Sequence, residues 1–266
     1  MLRVDAHVHA FPERLALAVR ERLNQRGGLE GSPLLADVAE RVRDAGFDRA
    51  WILPYAHRAG VAESINEWSA EDVAAIPWLV AGATFHPADE DLARLVERAL
   101  VALRLRVVKL HCSVGGFSPA DERLEPLWDT VEAMGVPVVV HAGQVSPGET
   151  SGEEVDALRA VLDRHHRLPL VLAHTGYPAT DRALALMSEY ENLFGDLTPV
   201  WDRPHTITAD DIMRFPGRFL FGSDSPNNPV GAGEQARRYE DMGLPAEDLA
   251  LLLGGAAMQL VPAGEE

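Results

Sequence analysis

The residues of this sequence best suited to chemistry are histidines and acids within or at the ends of short apolar runs. The first run, LRVDAHVH, carries His7 and His9 one residue apart, with Asp5 at the same spacing before them. Because side chains alternate across a strand, the three share one face, and the two histidines can chelate a single ion. Asp5 lies one step deeper, where we expect it to orient a ligand histidine or support the floor of the fold, without binding the ion directly.

Later runs supply candidates that complete such a site. VPVVVHA contains His141, and RFLFGSD ends at Asp224. Three imidazole nitrogens and one carboxylate oxygen suit Zn²⁺ best, with Mn²⁺, Fe²⁺ or Co²⁺ as weaker fits. An ion with an open coordination position lowers the pKa of its water towards neutrality. His174, which closes PLVLAH, is suited to exchange protons with that water, because an imidazole titrates at about pH 6.5.

Lys109 and His111 lie together in the run RVVKLHC. Three interpretations of Lys109 are open: it is carboxylated and bridges two metal ions, it binds a substrate carboxylate, or it pairs with an acid. We favour one of the last two. His111 taken alone is more typical of a hydrogen-bonded core histidine. Asp196, at the end of a further run, supports the site from behind or caps a loop.

The elements that must position these residues are short strands alternating with longer helical patterns. Strands are predicted at 2–9, 48–55, 79–85, 106–112, 136–142, 169–174, 193–198 and 218–224. Helices are predicted near 13–26, 33–45, 61–75, 89–104, 120–134, 152–166, 179–190 and 208–214, with more in 232–259. Ser32 and Ser118, each followed by proline, and Thr208 fit helix N-caps.

Eight such strand–helix units in 266 residues predict an α/β fold with a closed (β/α)₈ arrangement, the TIM barrel, as one domain over residues 1–266. In that fold the carboxyl ends of all strands meet at one mouth, so polar residues that are distant in sequence converge there. An open doubly wound sheet is the alternative. The sequence does not favour it, because no Gly-x-Gly-x-x-Gly turn follows a strand.

The amino-acid composition disfavours some classes of binding partner. With 24 basic and 41 acidic residues the net charge is −17, which disfavours nucleic acid and anionic membrane surfaces as partners. The single cysteine excludes an internal disulfide framework and fits a reducing compartment. No charged leader or bilayer-length apolar run is evident, so we expect a cytoplasmic protein. The expected partner is a small-molecule substrate, and assembly into homo-oligomers stays open.

The motifs DAHVH, VVKLH, VVVHAG, LAHTGY and FGSDSP, in this order, resemble the amidohydrolase superfamily, most closely its amidohydrolase-related branch of decarboxylase-type metal enzymes. The resemblance spans nearly the whole chain. It implies a distorted (β/α)₈ barrel of the metal-dependent hydrolase type, with a divalent ion, usually zinc, at the mouth. By position it implies that His7, His9 and His141 are metal ligands. Asp224 would be a ligand, a proton acceptor, or both.

The resemblance leaves the number of ions open. In members with one ion, His174 would be an acid–base group beside the coordination shell; in members with two, it would bind the second. Two-ion members often have a carboxylated lysine on strand 4, where Lys109 stands. We expect one ion.

The family includes hydrolases of amides and lactones, hydratases and non-oxidative decarboxylases, so the resemblance does not define the reaction. Our leading hypothesis is a metal-activated water that attacks an amide, lactone or ester carbonyl. The chain is short for the decarboxylases, which usually carry longer loop insertions. Decarboxylation of an unsaturated or aromatic acid is the alternative, and a non-catalytic binding barrel is a third.

Loops after strands 2 and 7 are expected to set specificity. Arg58 or Arg203 can hold a substrate carboxylate in a bidentate pair, and Trp201 can cover a planar or apolar part. Either arginine can equally be a surface residue. Together with Lys109, these three are the predicted substrate-binding residues.

Overall fold

All eight predicted strands form in a computed structural model of the chain, which describes residues 2–24, 31–142, 152–198 and 206–263. They are β1 Val4–Val8, β2 Arg49–Ile52, β3 Leu79–Thr84, β4 Val107–His111, β5 Val138–His141, β6 Leu170–Leu172, β7 Leu193–Leu197 and β8 Phe219–Phe221. Each pairs in parallel with the next, in the order β1 to β8. The predicted TIM barrel is confirmed.

The barrel closes between β8 and β1 by a short seam. Beyond the end of β8, Ser225 bridges to Val8, and the amide of Asp224 donates to the carbonyl of His7 at 2.8 Å. Deeper in the barrel, the Asp5 carboxylate accepts a hydrogen bond from the amide of Ser223 at 2.9 Å. The seam therefore consists largely of residues at the mouth.

Helices cover the outside of the barrel. They are α1 Glu13–Asn24, α2 Leu35–Asp44, α3 Ala62–Trp68, α4 Leu92–Glu97, α5 Cys112–Gly115, α6 Glu125–Met134, α7 Gly152–Leu162, α8 Thr180–Glu189, α9 Ala209–Arg214, α10 Ala232–Glu240, α11 Ala246–Ala250 and α12 Ala256–Leu260. Helices α3, α4 and α11 continue as π-helical turns over Ser69–Val73, Arg98–Ala102 and Leu251–Gly255. No helix in the described part of the chain is both long and apolar enough to span a bilayer.

Of the three predicted N-caps, only Thr208 is one. It forms a capping box with Asp211 at the start of α9. The prediction is wrong for Ser32 and Ser118, whose hydroxyls accept from the amides of Leu34 and Ala120, two residues further on. Each serine thus forms a turn before its helix, since a hydroxyl can bond locally as well as cap.

Strand β5 shows how the barrel separates an apolar floor from a polar mouth. Val138 and Val140 pack outward with the helices, whereas Val139 belongs to an inner apolar cluster. That cluster also takes residues from β1, β2, β3, β4, β6 and β8 and from helix α12. Because side chains alternate along a strand, His141 points the same way as Val139, one layer nearer the mouth. On β4, Lys109 likewise points the same way as Val107 and lies one layer nearer the mouth.

Candidate metal centre

His7, His9 and Asp224 bring three ligand atoms together at the mouth. The Nε2 atoms of the two histidines are 3.0 Å apart. The Oδ1 atom of Asp224 lies 3.3 Å from Nε2 of His9 and 4.0 Å from Nε2 of His7. All three atoms lie within 4.8 Å of one another, close enough to bind one ion. Both rings are buried, and the Asp224 side chain is partly exposed.

The opposite ring nitrogens determine which tautomers these histidines adopt. Nδ1 of His7 is 2.7 Å from Oδ2 of Asp196, and Nδ1 of His9 is 2.7 Å from the carbonyl oxygen of Leu53. Because a carboxylate and a carbonyl only accept, both Nδ1 atoms carry a proton. The neutral rings therefore turn the lone pairs of their Nε2 atoms towards each other.

Two lone pairs at 3.0 Å and a carboxylate at 3.3 Å repel unless a positive centre lies among them. A proton on His9, donated to Asp224, is one such centre, and the Lys109 ammonium, 3.3 Å from Nε2 of His7, is a second. A divalent cation bound by all three atoms is a third. Two imidazoles and a carboxylate are a donor set that suits zinc. Burial also lowers the pKa of His7 well below its ordinary value, which favours the neutral form that binds metal. The residues present thus fit a cation.

Asp224 follows β8 in a left-handed backbone conformation, with φ of +55°. Burial disfavours its charge, but the hydrogen bond from His9 and the neighbouring imidazoles outweigh that cost and lower its pKa to about 2. It is therefore a carboxylate at neutral pH, as a metal ligand or proton acceptor must be.

Lys109 reaches the same place from β4. Its Nζ atom lies 3.3 Å from Nε2 of His7, and the side chain is fully buried. Burial lowers its pKa to about 8, although Asp196 and Asp224 oppose that shift. The Lys109 amine is thus a buried basic group next to the candidate ligands. Whether it is carboxylated or binds the substrate stays a prediction.

His141 lies beside the three-residue cluster. Its Nδ1 atom is 3.1 Å from Nε2 of His174, and its ring stacks on His111 at 4.0 Å between centroids. Its Nε2 atom is buried and has no hydrogen-bond partner among the described residues. An unpartnered buried nitrogen fits a ligand of a cation, since burial without a partner is costly. That His141 binds the ion stays a prediction.

His174 stands on a strained turn after β6. The φ angles of His174 and Thr175 are +55° and +44°, a region that non-glycine residues rarely adopt. The amide of His174 donates to Oδ1 of Asp196 at 2.8 Å, and the Thr175 hydroxyl donates to the Asp196 carbonyl at 2.9 Å. The ring contacts the hydroxyl of Thr198 through Nδ1. Burial lowers the pKa of His174.

A model of the amidohydrolase family matches residues 4–263. The chain belongs to the amidohydrolase family. The motifs at the strand ends had indicated this membership, and the match extends over nearly the whole barrel. A search of curated proteins finds no match.

Several solved structures share the fold of this chain. An uncharacterized TIM-barrel protein, Bb4693 from Bordetella bronchiseptica, is 20% identical with a TM-score of 0.78 over 99% of each chain. 2,6-Dihydroxybenzoate decarboxylase from Rhizobium is 17% identical with a TM-score of 0.72 over 98% of each chain. An amidohydrolase from Burkholderia multivorans with bound zinc is 18% identical, with a TM-score of 0.68, over 98% of this chain and 99% of that one.

The structure describes two of the four predicted substrate-binding residues. Arg58 is exposed in the loop after β2. Arg203 and Trp201 lie outside the described residues. Of the two predicted substrate-binding residues that the structure describes, Lys109 lies against a candidate ligand, with its Nζ atom 3.3 Å from Nε2 of His7.

Two residues, Asp196 and Tyr55, contribute more to the site than the sequence alone indicates. Asp196 bonds both His7 and His174, and its place among apolar residues of LFGDL is the same signal that singled out Lys109. Tyr55 packs edge-on against His9 and His111, with centroids 5.4 and 4.7 Å away. No local sequence signal points to that aromatic wall, because it depends on how the loop after β2 folds over the mouth.

Proposed function

We propose that this amidohydrolase is a metal-dependent hydrolase, in which an activated water attacks an amide, lactone or ester carbonyl of a small carboxylated substrate. The observation that carries the proposal is the convergence of Nε2 of His7, Nε2 of His9 and Oδ1 of Asp224 within 4.8 Å of one another, an arrangement that fits a divalent cation. Water activation is the common use of such a site in enzymes.

His7, His9 and Asp224 would hold the ion, with His141 as a fourth ligand. Zinc is our expectation, supported by the donor set and by the zinc in the related structure from Burkholderia multivorans. When bound, the ion supplies Lewis acidity: it lowers the pKa of a water molecule and polarises a substrate oxygen.

The protein's own groups would move the protons. His174 is neutral at pH 7 because burial lowers its pKa, so it can accept a proton from the attacking water. The resulting imidazolium would return that proton to the leaving group. Asp224, ionised at this pH, is the other acceptor in reach of the two ligand histidines.

Lys109 would bind the substrate carboxylate from inside the barrel, and Arg58 from the rim. The buried ammonium beside His7 favours this assignment, because a substrate anion would offset the cost of burying that charge. Arg203 and Trp201 remain proposed contacts on the loop after β7.

The experiment is a metal count followed by turnover assays. We expect the purified protein to contain about one zinc per chain, and anomalous scattering at the metal edge to locate it. A panel of lactones, amides and esters, each with and without a carboxylate, would be assayed in H₂¹⁸O. We expect hydrolysis with ¹⁸O in the product acid. A protein that holds no metal and gains nothing from added Zn²⁺ or Mn²⁺ would contradict the proposal.

Non-oxidative decarboxylation is the second candidate. It is favoured by the fold shared with 2,6-dihydroxybenzoate decarboxylase over 98% of both chains. Here His174 would protonate the carbon that loses CO₂. Release of CO₂ from an unsaturated or aromatic acid, with no ¹⁸O in the organic product, distinguishes this reaction from hydrolysis.

A further inference from the structure

Asp196 is a buried carboxylate on β7 whose two oxygens contact two different parts of the site. Its side chain is 1% exposed. Oδ2 is 2.7 Å from Nδ1 of His7, and Oδ1 accepts a hydrogen bond from the amide of His174 at 2.8 Å. One residue thus joins a candidate metal ligand to the candidate acid–base group.

The contact with His7 determines what that ring can bind. As a carboxylate, Asp196 can only accept, so Nδ1 of His7 is protonated and the lone pair lies on Nε2. Nε2 is the atom that faces His9 at 3.0 Å and the Lys109 amine at 3.3 Å. In the other tautomer Nε2 would carry the proton and could not bind a cation.

The contact with His174 holds the backbone. A left-handed conformation at two successive non-glycine residues, His174 and Thr175, persists only when neighbouring groups impose it. The hydrogen bond from the His174 amide to Asp196 and the one from the Thr175 hydroxyl to the Asp196 carbonyl impose it here.

We propose that Asp196 is a positioning residue with two roles: Oδ2 selects the metal-binding tautomer of His7, and Oδ1 holds the left-handed turn that carries His174. The inference rests on the proposed metal site. It adds that the ability of His7 to bind a metal ion and the placement of His174 depend on the same carboxylate.

Asp196→Asn separates these roles without changing the shape of the side chain. The amide has one oxygen and one NH₂ group. The backbone amide of His174 is always a donor, so it retains the oxygen. His7 can change its tautomer, so it faces the NH₂ group and accepts through Nδ1. Nε2 of His7 then carries the proton and donates to Nε2 of His9, and the Lys109 ammonium, 3.3 Å from that nitrogen, loses its acceptor there. The same acid-to-amide logic produces a wrong tautomer in serine proteases.

The test measures the tautomer and the metal affinity on the full chain. ¹⁵N NMR of histidine-labelled, metal-free protein should show His7 protonated on Nδ1 in the wild type and on Nε2 in Asp196→Asn. The His7 signals are assigned by their loss in His7→Gln. The zinc Kd, from chelator competition, should rise about 10- to 100-fold in Asp196→Asn, with the Tm close to that of the wild type.

Asp89→Asn is the matched control. Asp89 is also a buried carboxylate with two partners, the amides of Gly60 at 2.7 Å and His86 at 2.8 Å. It touches none of the candidate ligands, so the His7 spectrum and the zinc Kd should stay as in the wild type.

The outcomes are distinct. If His7 keeps its proton on Nδ1 in Asp196→Asn, the tautomer role is overturned, whatever happens to the affinity. An Nε2-protonated His7 in the wild type overturns it as well, and that measurement is decisive even if the variant does not fold. A wild-type chain that binds no zinc defeats the proposed function instead, while the NMR comparison still decides the role of Asp196.

Discussion

His7 and His9 differ in what orients their rings. His9 donates to the backbone carbonyl of Leu53, which no substitution of that residue's side chain removes, whereas His7 depends on the side chain of Asp196. His174 depends on the same carboxylate through its own backbone. Substitutions that disturb His7 should therefore weaken metal binding, whereas substitutions that disturb His174 should slow turnover.

Replacing His174 with Asn tests its acid–base role. The ring is not among the three residues whose ligand atoms cluster, so we expect metal content close to that of the wild type. Turnover of a proven substrate should fall at least about 100-fold, because proton transfer by a positioned side chain contributes that much or more. Metal analysis and kcat measured on the same samples provide the check. Unchanged turnover would show that another group moves the proton.

Asp5 makes stability depend on pH. Burial raises its pKa from 3.8 to about 7, against the opposing hydrogen bonds from Ser223 and His7. The folded state therefore binds a proton that the unfolded state releases across this range, so the contribution to stability is lost as pH rises towards 7. We expect the free energy of unfolding of the wild type to fall, relative to Asp5→Asn, between about pH 4 and pH 7 and to level off above that range. Parallel curves in urea denaturation would contradict the assignment.

Neighbouring strands of the barrel approach each other closely at some positions, and there only a residue without a side chain fits. Gly82 on β3 has no side chain to hold it away from β2, and a Cβ there would lie 2.3 Å from the carbonyl oxygen of Ile52. By contrast, a Cβ on Gly233 of α10 would make an ordinary contact with Ala45 at 3.5 Å. The two glycines therefore provide a matched pair.

Gly82→Ala should destabilise the protein by about 1–3 kcal/mol or more, since β3 must shift within the sheet. Gly233→Ala should leave the free energy of unfolding unchanged or raise it by up to about 1 kcal/mol, because alanine favours the helix. Denaturant titration of both variants measures the difference. Equal effects would mean that β2 and β3 can separate without cost.

For the whole molecule, the candidate ligands lie on both sides of the seam that closes the barrel. His7 and His9 belong to β1 or follow it directly, and Asp224 follows β8. A bound ion would therefore link the first and last strands, as well as providing chemistry.

Metal binding should accordingly raise the Tm. At free zinc about 100 times above Kd, linkage predicts about 2.7 kcal/mol of added stability, and chelation should remove it. The comparison uses calorimetry with zinc and with a chelator. A double variant, His7→Ala with His9→Ala, should show no response to zinc, and a response equal to that of the wild type would place the ion elsewhere.

Local sequence patterns are enough to predict the eight strands, their parallel order and the polar residues near their carboxyl ends, because alternation and apolar run length are local properties. The resemblance of its motifs also indicated the family. Local patterns were less reliable for helix starts: Thr208 caps a helix, whereas Ser32 and Ser118 form turns.

How these residues meet depends on contacts between distant parts of the chain. The bond between Asp196 and His7 spans 189 positions of the chain, and no local pattern encodes which nitrogen of a ring will face an acceptor. The left-handed turn at His174 and the 3.1 Å contact between His174 and His141 depend on strand register and on packing at the mouth. Strand patterns therefore predicted which residues reach the site, whereas the closed barrel determined which groups each of them contacts.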